Sequence, residues 1–145
     1  MAAPAPRPLV IDTHWLLDLW LFHDPRAQAL DTALAEGQVR WLACAAMRDE
    51  LARVLDYPAL QRAREARGLG ADAVLARFDR HACLQPHPPA SPWRCRDPDD
   101  QVFIDLAWAH QAHLLSRDRA VLALSAGMGR SGLLVSADWP ARPSS

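Results

Sequence analysis

Apolar and polar positions along the chain fall into short blocks with two different periods. Leu9-Val10-Ile11 is an apolar run that ends in Asp12-Thr13. A run of that length before a polar turn predicts a strand buried on both faces. From His14 to Phe22 the apolar residues recur as one face of a helix. Asp24-Pro25 supplies a cap and a first-turn proline, so a second helix is expected from there to about Glu36, where Gly37 stops it. Val39 to Leu42 reads as a second strand. The spacing then predicts helices over 45–55, 59–67 and 71–81, with Tyr57-Pro58 and Gly68 as the breaks. Residues 84–99, LQPHPPASPWRCRDPD, hold five prolines. They predict an irregular connection, long enough to suggest a functional loop. A helix over 100–110, a strand at 114–116, a helix over 119–126 and a last strand at 133–135 complete the pattern, and no internal repeat is visible.

Strands alternating with helices imply an α/β fold with a mainly parallel central sheet. The excess of helix implies three layers, an α/β/α sandwich. In such sheets ligands sit beyond the carboxyl ends of the strands. Asp12 directly follows the first strand, and Asp118 follows the strand at 114–116 in the same way. Two carboxylates are thereby candidates for one crevice.

Composition narrows the function. The 145 residues suit one domain, expected over 9–139 between flexible tails at 1–8 and 140–145. Net charge is −1, so no global basic field draws the chain to nucleic acid. All 16 basic residues are Arg, which leaves no lysine for a Schiff base or a P-loop. Cys44, Cys83 and Cys95 are an odd number without CxxC spacing, read as free thiols of a reducing compartment. The N-terminus has no apolar core of a signal peptide, and the apolar stretch 15–22 is interrupted by Asp18. A cytoplasmic protein without membrane attachment is expected.

The segment RDPDDQVFIDLA, residues 96–107, places Asp97, Asp99 and Asp100 immediately before an apolar helix. Helix capping and the macrodipole account for one or two of them. Glu50, one of three glutamates, lies on a helix whose other residues are largely apolar. Such a group needs a partner. Asp12, Glu50, Asp100 and Asp118 come from four separate elements. Two carboxylates about 4 Å apart repel by roughly 4 kcal/mol at an effective dielectric near 20. A cluster of this kind binds a cation or protonates. Oxygen-only ligation selects hard ions, Mg²⁺ or Mn²⁺, which serve phosphoryl chemistry.

In order along the chain, LVIDTHWLLDLWLF, MRDELARVLDYP, CRDPDDQVFIDLAWAH and HLLSRDRAVLAL resemble the successive signatures of the PIN-domain family. The resemblance covers residues 9–139 and is nearest to the VapC-like branch, toxin components of type II toxin–antitoxin pairs. It implies a metal-dependent endoribonuclease acting on RNA, with Mg²⁺ or Mn²⁺ as cofactor. It implies a catalytic quartet of Asp12, Glu50, Asp100 and Asp118, with Asp12, Asp100 and Asp118 on the metal. Asp97 would cap the helix or bind a second ion, and Asp99 is the alternative to Asp100. Asp105 lies one turn further along the helix and is a candidate for the same cleft. Ser116 takes the place of the family's small hydroxyl residue. The family's first motif usually reads D-T-N, whereas this chain has Asp12-Thr13-His14. His14 would take over the asparagine's orienting hydrogen bond or act as a ligand. A cognate antitoxin and a homodimer are the implied protein partners.

Two other classes compete. A phosphoacceptor domain of flavodoxin-like architecture also gathers carboxylates at strand ends, but it needs a lysine that this chain lacks. A catalytically inactive PIN-like module that binds RNA or a protein partner is the second, and His14 favours it. Arg48, Arg53, Arg94, Arg96, Arg117 and Arg119 flank the acidic motifs and are candidates for phosphate contacts. GMGRSG at 127–132 is a literal GxGxxG, but it follows a helix and precedes a strand, so it is read as a flexible turn and not a dinucleotide site. His110 and His113 lack completing ligands. Trp15, Trp20, Trp41 and Trp108 are expected in the core, and Trp93 in the proline loop is kept as a substrate or partner contact.

Overall fold

The computed structural model describes residues 7–140. The expected tails fall largely outside the described residues, at 1–6 and 141–145. The first strand, β1 (Arg7–Ile11), begins two residues before its apolar run. It is followed by α1 (Thr13–Trp20), a 3-10 turn at Pro25–Ala27 and α2 (Gln28–Ala35). Gly37, at φ +70°, lets the chain leave α2 in a left-handed conformation. Next come β2 (Val39–Ala43), α3 (Ala45–Leu55), α4 (Pro58–Ala66) and α5 (Ala71–His81). The remaining elements are β3 (Cys83–Leu84), a 3-10 turn at Pro98–Asp100, α6 (Gln101–His110), β4 (His113–Leu115), α7 (Arg119–Leu122), α8 (Ser125–Arg130) and β5 (Val135–Ser136).

The five strands form one parallel sheet in the order β3-β2-β1-β4-β5. Leu9 faces Trp41 on one side and His113 on the other, and Ile11 faces Leu115. Leu9, Val10 and Ile11 are all buried although they point alternately to both faces, which requires helices on each side. The fold is the three-layer α/β/α sandwich. Chain order runs outward from β1 to β3 and then returns to β4 on the opposite flank of β1. The switch point of the sheet therefore lies between the carboxyl ends of β1 and β4, where a crevice is dictated by topology.

Trp15, Trp20, Trp41, Phe78 and Phe103 are fully buried, with the Trp41 ring 4.8 Å from Phe78 and 5.6 Å from Trp20. Trp93 is not a free contact residue. Its ring meets Trp108 edge-on at 5.9 Å and lies over Gly127, where an added Cβ would come within 3.0 Å of it. That contact accounts for Gly127, and the GMGR stretch is helix α8, not a flexible turn. The single helix expected over 119–126 is divided instead. Ser125 Oγ donates to the Leu122 carbonyl at 2.6 Å, the local bond by which serine competes with helical backbone. Strand β3 has only two residues and runs straight into the proline segment, too short a signal for periodicity. The three cysteines are free thiols. No helix among the described residues is long and apolar enough to cross a membrane.

Asp105 does not reach the crevice, contrary to its helical spacing. It is buried and accepts from Ser91 N at 3.0 Å, Ser91 Oγ at 2.7 Å and Gln101 Nε2 at 2.9 Å. The helix turns it toward the proline loop, and Gln101 completes the anchor by accepting from Cys95 N and donating to the Trp93 carbonyl, each at 2.7 Å. Asp105→Ala would leave several buried donors without an acceptor, and a loss of about 2–4 kcal/mol is expected. Urea unfolding measures it. Limited proteolysis should show cleavage shifting into 86–97, while divalent-ion affinity of the folded fraction stays unchanged.

Candidate metal centre

Asp12 leaves β1 in extended conformation and caps α1, accepting from Trp15 N at 3.0 Å. Its second oxygen accepts from Ser116 Oγ at 2.7 Å and Arg117 N at 3.2 Å. Ser116 in turn accepts from Asp118 N at 3.1 Å. One buried hydroxyl thus ties the end of β1 to the end of β4. Burial pushes the Asp12 carboxyl above its ordinary value, against the pull of these three donors.

Asp118 caps α7, and one of its oxygens accepts from Ala120 N at 2.8 Å. Asp97 caps the 3-10 turn through Asp99 N at 3.0 Å. Asp100 stands at the start of α6 and makes no capping bond at all. Its Oδ2 is buried and has no hydrogen-bond partner among the described residues. The three acids of DPDD are therefore divided: Asp97 caps, Asp99 is exposed on the rim, and Asp100 turns inward. Oxygens of Asp97, Asp100 and Asp118 lie within 4.8 Å of one another. Desolvation first, then the charges of Asp118, Asp97 and Glu50, push the Asp100 carboxyl up to about 7.

Glu50 projects from α3 into the same crevice and accepts from Thr13 Oγ1 at 3.0 Å. Its burial, with Asp99 and Asp12 nearby, raises its pKa, while Thr13 and Arg53 oppose the shift. Asp12, Glu50, Asp97, Asp99, Asp100 and Asp118 together line one cleft of about 460 Å³. Leu17, Val54, Tyr57 and Leu60 form its apolar wall, and His14 is exposed at its mouth. Asp12 shares the cleft but has its oxygens engaged by backbone and Ser116. Asp97, a residue that chain pattern left between cap and ligand, is the one grouped most tightly with Asp100 and Asp118.

This donor set fits a hard divalent cation. All the donors are carboxylate oxygens, they converge from two segments distant in the chain, and Asp100 presents a buried oxygen that nothing among the described residues satisfies. Among the flanking arginines, Arg48 forms a two-pronged pair with Asp79 at 2.7 and 2.9 Å. Arg94 donates to the Ser91 carbonyl. Arg117 donates to Asp18 and lies 3.9 Å over the Trp15 ring. These three hold structure. Thr13, Gln101 and the Asp18–Arg117 pair escape pattern reading, because a hydroxyl or amide beside a motif has no period that would mark it.

The family model for the PIN domain matches residues 8–120. No curated protein matches the chain.

Proposed function

The chain belongs to the PIN-domain family, a nuclease fold, and from that premise we propose that it is a divalent-ion-dependent endoribonuclease, the toxin of a VapC-like toxin–antitoxin pair. The observation that carries the reading is the unpartnered Asp100 oxygen held among Asp97, Asp118 and Glu50. Asp100 and Asp118, with Asp12 or Asp97 beside them, would hold Mg²⁺ or Mn²⁺. When bound, the ion lowers the pKa of water and offsets the charge that builds on the phosphodiester. Glu50, half-buried and raised in pKa, accepts a proton from water positioned in the cleft. Thr13 fixes the Glu50 carboxylate, and Ser116 with the Trp15 and Arg117 amides fixes Asp12. Val54, Tyr57 and Leu60 would border the reacting phosphate on its apolar side. The reading brings with it a cytoplasmic site of action, an antitoxin that covers the cleft, and a homodimer.

The test is cleavage of a mixed RNA pool by the purified chain with Mn²⁺, with Mg²⁺ and with EDTA, beside Asp12→Asn and Asp118→Asn. Cutting is expected only with the ions and is expected to fall by about a hundredfold or more in each variant. A folded protein that takes up metal but cuts neither RNA nor DNA would replace this reading with the binding module. His14, standing where asparagine is usual, is the observation that favours that module. His14→Asn should then restore cutting if the substitution alone silenced it.

A further inference from the structure

A second concavity of about 680 Å³ opens beside the acidic cleft and shares His14, Asp97 and Asp118 with it. Four arginines line it: Arg26, Arg96, Arg117 and Arg119. Two of these are committed. Arg26 donates to both oxygens of Asp24, at 3.2 and 2.8 Å, and Arg117 pairs with Asp18. Arg96 and Arg119 are exposed and form no ion pair among the described residues. Each is the immediate chain neighbour of an acid of the centre, Arg96 before Asp97 and Arg119 after Asp118. Yet both line the neighbouring cavity and neither lines the acidic cleft. Two uncommitted guanidiniums thus line the adjoining space, which Asp97 and Asp118 border from the side of the acidic cleft.

We propose that Arg96 and Arg119 form a subsite for the phosphodiester adjoining the one at the acid centre. The inference rests on the nuclease reading. Guanidinium forks match phosphate oxygens in a plane and bind them two-pronged, so an exposed pair can still hold a phosphate in an open concavity. An oligonucleotide repeats its anion at a covalent distance, so one phosphate seated at the acid centre delivers the next to a neighbouring concavity. A net charge of −1 leaves no diffuse field to do this, so the local pair must hold the strand. Because the pair touches a phosphate that does not react, it binds ground state and transition state alike.

The experiment follows fluorescence anisotropy of a short labelled single-stranded RNA, in Mg²⁺, across a salt series. Asp12→Asn serves as the background that prevents cutting. Adding Arg96→Gln and Arg119→Gln is expected to weaken binding about tenfold or more at low salt. It should flatten the slope of log K against log salt by about 1.4, from two contacts at about 0.7 each on a single strand. Arg96→Lys with Arg119→Lys should keep the slope and lose part of the affinity. On the otherwise native chain the Gln pair should raise KM for RNA cleavage and leave kcat within about twofold. An unchanged slope and unchanged KM in a chain that cuts RNA would overturn the subsite and leave the nuclease standing. A flattened slope in a chain that never cuts would keep the subsite and remove the nuclease. An oligoglutamate probe that binds as tightly as RNA and loses the same slope would overturn the phosphate assignment.

Discussion

Asp100→Asn is expected to raise the melting temperature of the metal-free protein at pH 8 and to remove most of its stabilisation by Mn²⁺. Asp100 is pushed up to about 7 in the fold from an ordinary 3.8. Between those values the folded chain holds a proton that the unfolded chain has released. The stability linked to this group is therefore fully present below about 3.8 and is lost as pH rises through about 7. At pH 8 the ionised carboxylate sits among Asp97, Asp118 and Glu50 with its full repulsion. Water screens a half-buried group, so the cost is about 1–2 kcal/mol and not the larger figure of the bare shift. Asparagine keeps the shape, drops the charge and offers an amide to the neighbouring carboxylates. The melting temperature should rise by roughly 3–8 °C at pH 8, and the advantage should shrink toward pH 4. Mn²⁺ at about a hundred times its dissociation constant should stabilise the native chain by about 2.7 kcal/mol and the variant by far less. Thermal melts at pH 4, 6 and 8, with and without Mn²⁺, decide it. A variant less stable than the native chain in EDTA at pH 8 would show that the acids are not in conflict.

A substitution that stabilises the empty protein while disabling it is the behaviour of a site whose charge is arranged for something other than folding. The same contrast separates what the chain pattern reveals from what it hides. Helices α3 and α5 begin and end where periodicity and the Tyr57-Pro58 and Gly68 signals put them. A buried apolar face has a period, and Tyr57-Pro58 interrupts it. Strand β1 is legible because three successive apolar residues can only be buried from two sides. The parallel sheet follows from strand–helix alternation, and it brings Asp12 and Asp118 to one edge because parallel strands place their carboxyl ends there; the strand order itself is not legible in the pattern. Side-chain direction is less legible. Asp105 sits one helical turn beyond Gln101, and spacing alone fits it to either face; only packing shows that the Ser91 amide and hydroxyl claim it. The division of labour inside DPDD is likewise hidden, since a cap and a ligand are the same residue type until the free oxygen is located. Trp93 looks exposed in a proline-rich loop and is covered by Trp108 and α8, a contact between segments distant in the chain.

The most demanding support in the site is not an acid. Trp15 and Arg117 donate the two backbone hydrogen bonds to Asp12, and their side chains grip each other, the guanidinium lying 3.9 Å over the indole. Asp18, one turn along α1 from Trp15, pairs with the same guanidinium. Both charged groups are largely shielded. The clamp therefore locks α1 against the turn after β4 at the point where Asp12 is held. Arg117→Met is expected to cost about 2–3 kcal/mol, since it removes the cation–π contact and strands Asp18 without a counter-charge. Adding Asp18→Asn should return about 1 kcal/mol, because the stranded charge is gone. Stability and positioning then part. In the double variant the Trp15 and Arg117 amides, no longer pressed onto Asp12, should exchange with deuterium faster than in the native chain at matched global stability. RNA cleavage should show kcat reduced by about tenfold to a hundredfold with little change in KM, because a displacement near 1 Å of a catalytic carboxylate is enough. That signature is the inverse of the KM effect expected at Arg96 and Arg119. If kcat in both variants simply tracks the folded fraction, and the two amides exchange as before, Arg117 stabilises the fold without positioning Asp12.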